Sequence, residues 1–167
     1  WISERLDAKR TLILLPSLFL VGFFFAAYFL LEGSDLGVGL LLPFLPRNEE
    51  ERSTMFRTIG PVWDGNEVWL VVAGASMFAA FPAWYATMFS GFYIALLLLL
   101  VFLIVRVLSF EWRERHEHSR WLGLWAWANT IGSLGAALIW GVAFSNLLYG
   151  VPITSSGDFD GSFWDLF

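Results

Sequence analysis

The sequence predicts an all-α integral membrane protein built as an antiparallel four-helix transmembrane bundle. Three observations predict it. More than half of the residues are apolar, a fifth are aromatic and few are charged, a balance that leaves too little polar surface for a water-soluble domain of this size. Several aliphatic runs reach the roughly 20 residues that a helix needs to cross a bilayer. Finally, the basic residues fall into alternate linkers, which is the pattern of a chain that weaves through a membrane. The net charge of -5 does not set topology; the placement of Lys and Arg does. No basic tract or nucleic-acid motif is present.

Four helices follow in order. The first covers about 11–45, from the apolar run after Arg10 past Glu32 and Asp35. At 1.5 Å per residue such a helix exceeds a hydrocarbon core of roughly 30 Å, so it tilts and protrudes, or breaks at Gly33, Gly37 or Gly39. The second covers about 60–81, opening with "GPVWDGNEVWL". The third covers about 84–108, with "ALLLLLVFLIV" at its centre, and the fourth about 121–148. In the fourth, Gly132, Gly135, Ala136 and Gly141 mark places where a neighbouring backbone can come close. Trp121, Trp125 and Trp127 sit near its start, as an interfacial aromatic belt does. Residues 151–167 form an extracytoplasmic loop.

Orientation comes from the linkers. Arg47, Arg52, Arg57, Arg106, Arg113, Arg115 and Arg120 lie at the first and third, whereas "FPAWYA" and the tail carry no Lys or Arg. The positive-inside rule puts the Arg-bearing linkers in the cytoplasm. Arg5, Lys9 and Arg10 argue the other way and are outnumbered.

The acids are the candidate functional groups. A charge at the bilayer centre costs roughly 2.5–3.5 kcal/mol on insertion scales, so a membrane-embedded acid faces protein, a partner or water. Asp64 and Glu67 share one face in the first turns of the second helix. Arg106 closes the antiparallel third helix at similar depth, so an Asp64–Arg106 pair is expected, with Glu111 just beyond it. Two readings of this polar ladder stand: a proton path from the cytoplasm, or an ion pair that pins two helices together. Glu32 and Asp35 share a face of the first helix, and for them too a functional and a structural reading remain open.

Other chemistries find little support. The absence of cysteine excludes disulfides, iron–sulfur clusters and cysteine-bound copper. Both histidines, His116 and His118, lie in the charged third linker, and Met77 and Met88 fall on apolar stretches that call for packing, so neither a metal site nor a haem held by this chain is expected. Phosphate-loop, nucleophile-elbow and zincin patterns are missing. A self-sufficient catalyst is not expected.

Five stretches, "EGSDLGVGLLLPFL", "TIGPVWDGNEVWL", "AGASMFAAFPAWYATMFSGFY", "VRVLSFEWR" and "WGVAFSNLLYGVP", occur in an order and spacing that resemble the N-terminal half of subunit II of the cytochrome bd-type quinol oxidases. The resemblance covers most of residues 29–152. It implies a bacterial or archaeal cytoplasmic membrane protein, multi-pass, belonging to a complex that oxidises quinol and reduces oxygen to water. It further implies that haem b and haem d sit in the partner, subunit I, and none in this chain. Membrane lipid and small accessory subunits are its other potential neighbours, and some members also hold a structural quinone in subunit II. Carried over by position, the proton route involves Trp63, Asp64, Arg106 and Glu111, with Glu67 beside them, while Glu32 and Asp35 match the paired acids of the family's first helix. Ser34 stands where the family usually has an aromatic, and the segment before Tyr28 matches poorly.

The family's subunit II has a second four-helix bundle like the first. This chain ends in "GSFWDLF", where the fifth helix would begin, and opens on Trp1, so it is expected to be one half of a two-bundle subunit or a trimmed product. The alternative from another class is a small proton-coupled transporter subunit or a membrane scaffold without redox work, using the same acids and arginine.

Overall fold

In a computed structural model, which describes residues 2–166 and the side chains of residue 11 and residues 13–166, six α-helices follow one another. They are α1 (Ile2–Leu41), α2 (Glu49–Ile59), α3 (Trp63–Ala80), α4 (Pro82–Gly91), α5 (Tyr93–Arg113) and α6 (Ser119–Tyr149). Among the described residues one 3-10 turn, Phe163–Leu166, follows α6. Among the described residues the only β-pairing is an isolated bridge between Ile153 and Phe159. The side chains of Arg5, Lys9 and Arg10, which argue against the expected orientation, lie outside those described.

Among the described residues, three helical segments are long and apolar enough to cross a membrane: Ile13–Leu41, Tyr93–Arg113 and Ser119–Tyr149. Their outer faces carry exposed Leu15, Phe19 and Leu30 on α1, and Leu97, Leu100 and Ile104 on α5, side chains that hydrocarbon covers at no cost. The expected second helix is α3, whose first turns hold Asp64, Asn66 and Glu67 and dilute its hydropathy. At 18 residues it is about 27 Å long.

Three boundaries differ from the sequence-based expectation. The first helix ends at Leu41 rather than near 45, just ahead of Pro43 and Pro46, each of which removes a backbone donor, although the same helix accommodates Pro16. The expected third helix, 84–108, is two helices that meet at Phe92. Pro82 starts α4 at a position where its missing N–H is harmless, and Gly91 ends it against the ring of Phe159, which a Cβ there would approach to 2.9 Å. The "linker" between the first two spans forms α2. Asn48 Oδ1 accepts the Glu51 N–H at 2.9 Å, Glu51 accepts the Arg47 N–H at 2.7 Å, and Glu49, Glu50 and Glu51 fill the positive end of the helix dipole.

The interior is built around α6. Gly132 and Gly135 let α5 close in, with a Cβ on Gly132 falling 2.7 Å from the Phe102 carbonyl oxygen. Leu99, Leu103, Ala136, Ile139 and Ala143 fill this seam. On its other side α6 meets α1, where Thr130 Oγ1 donates to the Gly39 carbonyl at 2.9 Å and Trp140 Nε1 donates to the Tyr28 hydroxyl at 3.1 Å. Helix α3 packs against α1. Residues 151–166 fold back over the far end, tied by Thr87 Oγ1 donating to the Gly157 carbonyl at 2.6 Å and Asn146 Nδ2 donating to that of Leu166 at 2.7 Å. Within this segment the Ser162 N–H donates to Asp165 and holds its carboxyl below the usual carboxylate range.

Candidate functional site

One buried cation organises the polar interior. Arg106 on α5 has no exposed surface, although the stretch before it, from Ile94 to Val105, is entirely apolar. A guanidinium in such a place needs anions around it. Three carboxylates supply them: Arg106 Nη1 donates to Glu32 on α1 and, at 3.0 Å, to Glu67 Oε1 on α3, while Nη2 lies 3.7 Å from Asp35 Oδ2 on α1. Asp35 is also held by Asn66 of α3, whose Nδ2 donates at 2.9 Å. Glu32 and Asp35 are buried and Glu67 is half-buried.

The spacing explains the convergence. Glu32 and Asp35 are three apart on α1, so both point at one neighbour. Glu67 lies one turn inside α3 and reaches the same guanidinium, while Asp64, a turn nearer the helix end, is exposed. Among the described residues, the partners of Arg106 are therefore Glu32, Asp35 and Glu67, and the expected Asp64–Arg106 pair is not formed. Three acids face one base. Arg106 Nε and Glu32 Oε2 are buried without a hydrogen-bond partner in the chain, and such atoms are what ordered water satisfies in protein interiors.

Toward the Arg-rich end, Trp63 stacks on Phe110 with planes 2° apart and centroids 5.8 Å apart, and the Arg106 guanidinium lies 5.6 Å from the Phe110 centroid. Beyond these rings is a cavity of about 370 Å³ lined by Trp63, Phe110, Glu111, Glu114, Arg57 and Arg113, among others. Glu111 is exposed on its wall. The predicted ladder is thus divided: Arg106 and Glu67 belong to the buried cluster, Glu111 and Trp63 to the cavity, and Asp64 to the exposed first turn of α3.

Several contributors escaped the sequence reading. Ser109 Oγ donates to the Arg106 carbonyl and accepts from Asn129 Nδ2 at 2.7 Å, tying the Arg106 turn to α6. Asn129 and Ser133, both fully buried, are four apart in an apolar helix, a spacing that marks one polar stripe. Arg113, also buried, donates to Glu49 and, at 3.1 Å, to Ser53, and so fastens α2 to α5.

Among the described residues no group of three or more His, Cys, Asp or Glu side chains is placed to hold a metal ion. His118 caps α6 by accepting the Arg120 N–H at 3.2 Å, and His116 packs edge-on against Trp121. Met77 is buried in the wall of a large apolar cavity, about 880 Å³, that Met88 also lines.

Residues 15–167 match the family model described as cytochrome bd terminal oxidase subunit II. The chain is 48% identical over 133 residues to cytochrome bd-I ubiquinol oxidase subunit 2 of Escherichia coli (strain K12), an alignment covering 80% of this chain and 35% of that protein. It is 46% identical over 134 residues to cytochrome bd ubiquinol oxidase subunit 2 of Bacillus subtilis (strain 168), covering 80% of this chain and 40% of that one. With the probable cytochrome oxidase subunit 2 of Haemophilus influenzae (strain ATCC 51907 / DSM 11121 / KW20 / Rd) it shares 47% identity over 139 residues, 81% of this chain and 37% of the relative. The aligned region is little more than a third of the length of these relatives.

Proposed function

Because the chain belongs to the cytochrome bd terminal oxidase subunit II family, we propose that it is the N-terminal four-helix half of a haem-free subunit in a quinol:oxygen oxidoreductase of the bacterial or archaeal cytoplasmic membrane. In this reading the subunit supports a haem-bearing subunit I, which holds haem b and haem d, and helps to bring protons from the cytoplasm for the reduction of oxygen to water. The four crossings are α1, α3, α4 with α5, and α6, and the Arg-rich end faces the cytoplasm.

A single observation carries the proton role: Arg106 is shared by Glu32, Asp35 and Glu67 in the apolar interior. Three carboxyls around one permanent cation hold more acid than the cation can neutralise. The cluster therefore has room to take up and release a proton while Arg106 keeps it anchored, which a matched one-to-one pair does not. Asp64 and Glu111 stand on the side from which the proton arrives. The orphaned Arg106 Nε and Glu32 Oε2 are natural attachment points for bridging water.

His116 and His118 are engaged at the start of α6 and Met77 and Met88 line an apolar cavity, which supports placing the haems in subunit I. The apolar cavity of about 880 Å³ matches a quinone in size and character, its walls including Phe25, Phe29, Phe89 and Trp140. The transporter or scaffold alternative draws on the same acids and has no observation of its own.

The experiment is oxygen consumption by the complex carrying Glu67→Gln or Asp64→Asn, each checked by its reduced-minus-oxidised haem spectrum. With haem content unchanged, both variants turn over several-fold more slowly and with a changed solvent isotope effect. Wild-type turnover in Glu67→Gln would remove the proton role. A spectrum whose haem bands stay with this chain after the partner is stripped away would remove the haem-free assignment.

A further inference from the structure

Between the cavity at the Arg-rich end and the buried cluster lie two aromatic rings. Phe110 belongs to both compartments: it lines the cavity, and its ring faces the Arg106 guanidinium. Trp63, on α3, also lines the cavity and lies parallel to Phe110. Phe56, on α2, meets Phe110 edge-on at 5.7 Å and 78°, and the guanidinium of buried Arg113 sits 4.5 Å from the Phe56 centroid. Rings from three helices are thus braced by two arginines. Displaced parallel and edge-on pairs are the favoured aromatic geometries, and a cation over a ring adds to their attraction.

On one side the surface is polar and open, with Glu111, Glu114 and Arg57 on the cavity walls. On the other, Arg106 and Glu32 have no exposed surface. Phe110 thus stands between the exposed Glu111 of the cavity and the fully buried Arg106 and Glu32, while Glu67, the third group at Arg106, is half-buried.

We propose that Trp63 and Phe110 form an aromatic lid, which closes the cavity off from the Arg106 cluster and must part for water or a hydrated proton to pass. The proton part of this inference rests on the uptake role proposed above; the closure does not. Phe110 is a positioning residue: it carries no proton, and it sets when the cluster meets the aqueous side. The bracing holds the lid in its closed position. Parallel rings close it, and a turn of the Phe110 side chain, releasing Trp63, opens it without moving a helix.

The chain contains no cysteine, so an introduced thiol is unique within it. The test places Glu32→Cys in the complex and measures its modification from the Arg-rich side by a small cationic methanethiosulfonate, read by mass spectrometry of this chain. With both rings present the thiol reacts slowly. Adding Phe110→Ala speeds the reaction at least tenfold, and Phe110→Tyr, which restores a ring, brings it back. If Phe110→Ala fails to assemble, Trp63→Ala removes the other half of the stack and carries the same expectation. Rapid modification with both rings in place would overturn the lid, as would equally slow modification with either ring removed. The failure of the uptake role is read elsewhere, in the turnover of Glu67→Gln, which this labelling does not consult.

Discussion

Replacing Arg106 with methionine removes the charge and keeps a side chain of comparable reach. In the wild-type protein the guanidinium is fully buried and serves three carboxylates, with Glu32 itself buried. Removing one partner of a buried ion pair costs about 3–5 kcal/mol, chiefly because the other charge is left unpaired. At about 2–4 °C per kcal/mol for a chain of 150–250 residues, the apparent melting temperature falls by roughly 6–20 °C. Circular dichroism of the complex in mild detergent follows the loss. The second variant makes the reasoning refutable: Glu32→Gln added to Arg106→Met neutralises the acid that has been stranded. The double variant is therefore more stable than Arg106→Met alone, with a coupling on the order of 1 kcal/mol or more. A fall of a degree or two in Arg106→Met, or no recovery on adding Glu32→Gln, would mean that the cluster is solvated well enough to do without its cation.

Arg106→Lys keeps the charge but offers one nitrogen in place of a fork. It is expected to lie between wild type and Arg106→Met in melting temperature, and a value equal to either extreme would speak against shared coordination. Gly132→Ala would bring a Cβ to 2.7 Å from the Phe102 carbonyl oxygen and so push α5 away from α6. The cost is about 1–3 kcal/mol as overpacking, read as a lower melting temperature, and an unchanged melt would place the helices farther apart than described. Thr87→Val loses the hydrogen bond to the Gly157 carbonyl, about 0.5–1.5 kcal/mol. It should leave the haem spectrum alone and speed proteolysis within residues 151–166; equal cleavage rates would show that this segment is held by its other contacts.

What could be read from the sequence divides along physical lines. Membrane character rests on composition and run length, which are local, and the three long apolar helices follow from them. That Arg106 would want an acid was equally local. Which acid it takes was not, because α5 and α1 are brought together by each packing closely on α6, at Gly132 and Gly39 respectively. From sequence alone Glu32 and Asp35 therefore stand apart from Arg106, and depth favours Asp64 as its partner. Helix α2 was legible in principle: Asn48 followed by Glu51 is a capping pattern, hidden only because the stretch also looked like a charged linker. The break at Phe92 was not legible, since it depends on Phe159, 67 positions later in numbering, lying against Gly91.

The link between Glu32 and Arg106 spans 74 residues of sequence, and a ribosome makes the chain in one direction. At synthesis rates of about 5–20 residues per second, α1, which ends at Leu41, is complete roughly 3–13 s before the codon for its counter-ion has been read. During that interval the translocon holds a helix whose two acids have no arginine. The nascent α1 must wait, with Glu32 and Asp35 near the headgroups or hydrated inside the insertion machinery, until α5 emerges and lets it settle. The order of genesis therefore runs against the order of stability: α1, made before α5, settles only once α5 is there.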